Sequence, residues 1–132
     1  MPELKWNKTD FMECLEVIPQ VEDYEVEHFY EVKKNGLVLT VTVWQHESVV
    51  FVSLRQQENP APLVEFALFV REAARYVNDK RGEYLEFQNC IAAPSRFSYQ
   101  EMGDMFDTAK FKHGLTIELA IKPHIQLRHI RG

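Results

Sequence analysis

A chain of 132 residues with 45% hydrophobic and 27% charged side chains has the make-up of one folded domain, which excludes a disordered tail or a fibrous repeat. The net charge of −5 disfavours non-specific binding to nucleic acid, so that partner is not expected. No apolar run reaches the ~18–20 residues that a membrane helix needs, so no membrane partner is expected either.

Cys14 and Cys90 form no CxxC pair, and Met1–Lys5 lacks the apolar region of a signal peptide. The expected setting is therefore reducing and cytoplasmic. Charge is spread unevenly: residues 1–33 carry nine acids against three lysines, whereas residues 108–132 carry five Lys/Arg against one Glu. Attraction between the two ends accounts for this as simply as head-to-tail association does.

In chain order, Thr9 can cap a short helix through Phe11, Leu15 and Ile18, which Pro19 stops. From Tyr24 the period becomes two. Tyr24, Val26, His28, Tyr30 and Val32 alternate with Glu25, Glu27, Phe29, Glu31 and Lys33 and predict a half-buried strand. Asn35-Gly36 is the signature of a type I′ hairpin, because both central positions of that turn need positive φ. A two-residue turn there pairs Val32 with Leu39, Tyr30 with Val41 and His28 with Val43. A four-residue loop at 45–48 then pairs Val43 with Val50 and Trp44 with Val49. The result is an antiparallel three-strand meander over 24–56 with one consistent core face.

The 62–78 segment fits two templates. Val64, Phe66, Leu68 and Val70 alternate as a strand would. Leu63, Phe66, Ala67, Val70, Ala73, Ala74 and Val77 recur as on a helix. Its length, its Ala/Leu/Glu/Arg content, the prolines before it and Gly82 beyond it favour a long helix. A strand follows over 83–91. Ser98-Tyr99-Gln100-Glu101 matches a capping box and predicts a second short helix through Phe106. Two strands close the chain, around Leu115–Ile121 and Ile125–His129, with Pro123 between them. The expected fold class is α+β: a sheet packed by the 62–78 helix and two short helices.

No motif announces chemistry. His28, His46, His113, His124 and His129 show no HxH or HExxH spacing, so no metal or cofactor is expected. Cys90 has no readable base beside it, and no catalytic residue is assigned. What the register does show is an unusual second face of the meander, carrying Phe29, Thr42, Trp44, Val49 and Phe51. Open antiparallel sheets normally present polar residues to water on that side. These five are the candidate partner-binding residues, for another protein or for a second copy of the chain.

A small-molecule pocket is the alternative site, between the sheet and the 62–78 helix and lined by His28, Tyr30 and Cys90. The expected function is a non-enzymatic interaction module, homodimeric or binding another protein. The alternative is an enzyme or small-ligand binder. The order of elements up to residue 91 is similar to that of small acidic secretion chaperones, which implies dimerisation and binding of unfolded protein segments. An immunity-like role is equally compatible with a small acidic domain.

Overall fold

The computed structural model describes residues 3–94 and 114–130. One α-helix, α1 (Lys8–Leu15), precedes nine strands: β1 (Gln20–Val21), β2 (His28–Lys34), β3 (Leu37–Trp44), β4 (Val49–Gln56), β5 (Pro62–Val70), β6 (Ala74–Asp79), β7 (Gly82–Pro94), β8 (Leu115–Ala120) and β9 (Gln126–Ile130). A one-turn 3-10 helix at Asp23–Glu25 lies between β1 and β2. All nine strands join one antiparallel sheet in the order β1-β2-β3-β4-β5-β7-β8-β9. β6 lies beside the first half of β7, on the edge whose second half is paired with β5.

The meander has the expected register. Val32 faces Leu39, Tyr30 faces Val41, His28 faces Val43 and Trp44 faces Val49. Asn35 at φ 52° and Gly36 at φ 78° make the tight turn as their residue types require. The first strand, however, starts at His28 rather than Tyr24. Tyr24 and Glu25 turn into the left-handed region, at φ 60° and 54°, so the alternation before His28 is not strand.

The expected α+β class and its long 62–78 helix are overturned, because that segment forms β5 and β6. β5 is central, with β4 on one side and β7 on the other. Its two faces are both covered: Leu68 and Val70 belong to the main core, while Ala67 and Phe69 belong to a second cluster on the opposite face. A strand buried on both faces loses clean alternation, and its apolar positions then fit a helical template by coincidence. Helix propensity differs by only ~0.7 kcal/mol per ordinary residue, which sheet packing overrides. The break between β5 and β6 is stitched to a bulge in β7. Arg71 N–H bonds the Asn89 carbonyl at 3.3 Å, and Gln88 N–H bonds that of Ala73 at 2.8 Å.

The first short helix forms, with shifted bounds. Asn7 rather than Thr9 caps it, its Oδ1 accepting from Thr9 N–H at 2.8 Å and Asp10 N–H at 3.1 Å. It ends at Glu16 in the left-handed region, before Pro19 is reached. The second short helix, expected at 98–106, lies outside the described residues.

α1 packs across the core face against β2, β6 and β7. Its buried side is Phe11, Cys14 and Leu15. Phe11 is fully enclosed, with ring centroids 5.8 Å from Tyr30 and 6.1 Å from Phe87. The chain ahead of the helix is pinned at two places: Leu4 N–H donates to the Gln45 carbonyl at 2.8 Å, and Ala74 N–H donates to that of Lys5 at 3.0 Å. These straps bring the start of α1 against the β3–β4 loop, which positions the site described next.

Candidate functional site

Four short pieces of chain meet where α1 begins. Trp6, Asn7, Lys8 and Thr9 come from the helix start, Glu25 from the 3-10 turn, His28 from the first position of β2, and Gln45 from the β3–β4 loop. Together they line an open cleft of about 360 Å³. Its walls are cross-linked. Trp6 Nε1 donates to Gln45 Oε1 at 3.2 Å, and Gln45 Nε2 donates to the Glu25 carbonyl at 2.7 Å. Lys8 Nζ makes a close ion pair with Glu25.

His28 is the unusual member. Its side chain is 1% exposed, yet neither ring nitrogen has a hydrogen-bond partner among the described residues. The Glu25 carboxylate stands 3.8 Å from Nε2, beyond hydrogen-bonding range. Trp6 meets the imidazole edge-on, with centroids 4.9 Å apart. Burial lowers the pKa of His28 from its ordinary value, against an opposing pull from Glu25, and so favours the neutral ring. The hydrogen bond from Lys8 holds the Glu25 carboxyl below the usual carboxylate range.

Beside the cleft, the chain between α1 and β2 exposes apolar side chains among acids. Ile18 is 86% exposed and Tyr24 94%, with Val21 and Val26 also in the open. Glu16, Glu22, Asp23 and Glu25 are exposed around them. Apolar groups gathered in the open at the rim of a sheet are a feature of binding surfaces.

The residues expected from sequence fall in three places. His28 lines the cleft. Tyr30 is fully buried in the main core, where its hydroxyl donates to the Lys8 carbonyl at 3.2 Å. Cys90 is also in that core, and burial pushes its thiol up to about 12. The helix that was to close a pocket over these three is strand. On the opposite face of the sheet, Val49 is buried with Ala67, Phe69, Ile91 and Ala93, and half-buried Trp44 and Phe51 pack against them. Thr42 is buried and Phe29 half-buried. Trp44 Nε1 donates to Glu27 at 2.8 Å, which ties this face to the acidic edge.

Sequence reasoning missed Trp6, Lys8, Glu25 and Gln45, since their convergence depends on the straps at Leu4 and Lys5. The legible hint was His28, a titratable ring at a core-facing position. Among the described residues, no group of three or more His, Cys, Asp and Glu could hold a metal ion.

The architecture has a solved counterpart. A chain of the contact-dependent growth inhibition toxin–immunity protein complex from Klebsiella pneumoniae 342 superposes with a TM-score of 0.68, covering 98% of this chain and 98% of that one at 17% identity. The fold is shared. No protein-family model and no curated protein matches the sequence. Among the described residues, no helix is long and apolar enough to cross a membrane.

Proposed function

We propose that this chain is an immunity-type binding protein, which recognises a folded toxin domain and blocks it by forming a stoichiometric complex. The carrying observation is the end-to-end match to a chain from a toxin–immunity complex. At that identity the likeness speaks for the fold, so the binding role rests on what the surface adds. Exposed Ile18 and Tyr24 amid acids form an apolar, negatively charged edge of the kind that attracts and seats a basic partner. Half-buried Trp44, bonded to Glu27, borders the same edge and brings part of the Phe29/Thr42/Trp44/Val49/Phe51 face close to it. Partner binding is then heterologous, and self-association is not required.

The test is co-expression of the chain with the toxin domain encoded next to its gene, followed by light scattering on the purified product. The reading expects a one-to-one complex and rescue of cell growth by this chain. A dimer that ignores the toxin domain, or a gene neighbourhood without one, refutes it.

A further inference from the structure

The cleft at the start of α1 contains a buried polar group that the fold leaves unsatisfied. Buried polar side chains in native proteins are nearly always hydrogen-bonded, and each exception calls for an explanation. An unpaired one has given up its hydrogen bonds to water with nothing in return. His28 meets that description on both ring nitrogens, and its residue is part of the cleft wall.

An anion does not fit the chemistry of the cleft. Three helix N–H groups that would receive one are occupied: Asn7 Oδ1 takes Thr9 and Asp10 N–H, and the Asn7 carbonyl takes Phe11 N–H. Lys8, the cation among the described residues of the cleft, is already matched by Glu25. The surrounding segment, residues 1–33, carries nine acids against three lysines. The walls instead offer acceptors: the Glu25 carboxylate, the amide oxygen of Gln45, the Thr9 hydroxyl, and the lone pair that a neutral imidazole keeps. Trp6 adds an aromatic wall, against which a flat cation can pack.

We propose that this cleft is a socket for one arginine side chain of the partner protein, whose guanidinium donates to His28 and to the Glu25 carboxylate beside Trp6. The inference rests on reading the chain as a protein binder, and it names the chemistry of the contact. Lys8 does not bar the way. Its side chain is 54% exposed, so it swings into water when a guanidinium takes over the carboxylate. Arginine suits the place better than lysine because its planar fork can reach a carboxylate and a ring nitrogen together. Glu25 and Tyr24 are consecutive non-glycine residues in the left-handed region, a strained turn that the contacts around it must hold in place.

The test uses the full chain with nitrogen-15 in its histidine and tryptophan rings, titrated with N-acetyl-arginine methylamide, its lysine analogue, and inorganic phosphate. The arginine probe is expected to shift the His28 and Trp6 ring signals in a saturable way, at least several-fold more tightly than the lysine probe. Glu25→Gln should weaken it about tenfold without changing the melting temperature, and Glu25→Lys should abolish it. A shift produced by phosphate, an equal response in Glu25→Gln, or no arginine response at tens of millimolar overturns the socket. The toxin complex separates the two readings. If wild type and Glu25→Gln bind the toxin domain equally, the socket fails and the immunity reading stands. If the arginine probe binds but no toxin domain does, the socket stands and the immunity reading fails.

Discussion

Replacing Tyr24 by glycine should separate folding from binding. The Tyr24 side chain is 94% exposed, so the fold loses almost no packing when it is removed. Its backbone sits at φ 60°, where a side chain with a Cβ is disfavoured by roughly 1–2 kcal/mol. Glycine removes that strain, but it makes the unfolded chain more flexible, at a loss of about 0.5–1 kcal/mol. The net change in stability is thus between about zero and 1.5 kcal/mol in favour of the variant. Tyr24→Ala keeps the strain and should fall about 1 kcal/mol below Tyr24→Gly. Urea unfolding followed by the fluorescence of Trp6 and Trp44 measures both. Binding should move the other way. An exposed aromatic at the centre of an interface contributes ~2 kcal/mol or more, which is about 30-fold in Kd, and calorimetry with the toxin domain reads it. A stability loss above about 2 kcal/mol would show that the ring packs on something essential. Unchanged affinity, within twofold, would remove Tyr24 from the interface.

The remaining predictions concern the groups that hold the fold together. Burial pushes the Cys14 and Cys90 thiols up to about 12, so at pH 8 only roughly one molecule in 10⁴ carries a given thiolate. Both should therefore resist a thiol reagent in the native protein and react together once denaturant unfolds it; rapid labelling of either would contradict their burial. His28 should make the protein acid-sensitive. Its folded pKa is lowered, so the unfolded chain takes the proton first; the stability is whole above about pH 6.5 and is lost as pH falls from there toward the lowered value. His28→Gln should flatten that slope in urea titrations between pH 7 and 5. Arg81→Ala should lower the urea midpoint, because Glu118 is 2% exposed and takes two bonds from Arg81, at 3.1 and 3.0 Å. Arg128 Nε, 3.1 Å from Glu118 Oε1, keeps the carboxylate from being stranded entirely, and a variant that no longer folds would contradict that support.

The meander was legible because its signals are local and agree with one another. Asn35-Gly36 sets the turn, the alternation sets the faces, and each strand pairs with its neighbour in sequence, so the pairing of Trp44 with Val49 follows without any distant information. β5 was not legible because its partners include β7, whose pairing of Val70 with Cys90 spans the β6 hairpin, and because burial on both faces erases the period that identifies a strand. The cleft was illegible for a related reason. Trp6 and Gln45 are 39 positions apart, and they meet only because Leu4 is bonded to the loop that carries Gln45. Sequence patterns report which way a residue faces, and His28 was placed correctly on the inner face. They do not report that the ring, once there, reaches the end of the core and finds no partner.

The same edge also bears on how a partner is held. Among the described residues, β1 covers β2 only at His28 and Phe29, leaving the outer edge from Tyr30 to Lys34 without a strand beside it. An open edge invites strand addition, which would let a partner bind through its backbone. Glu31, Lys33 and Lys34 occupy that stretch, and charges of this kind are how edge strands discourage pairing. Ahead of it the chain leaves the sheet altogether in the turn at Asp23–Glu25, which carries Tyr24 outward and Glu25 toward the cleft. The edge is therefore guarded against backbone pairing where it is straight and opened to side chains where it bends. Recognition through inserted side chains suits this geometry. Relaxing Tyr24 and Glu25 into strand would extend the edge and remove the ring and the carboxylate from the surface proposed for the partner.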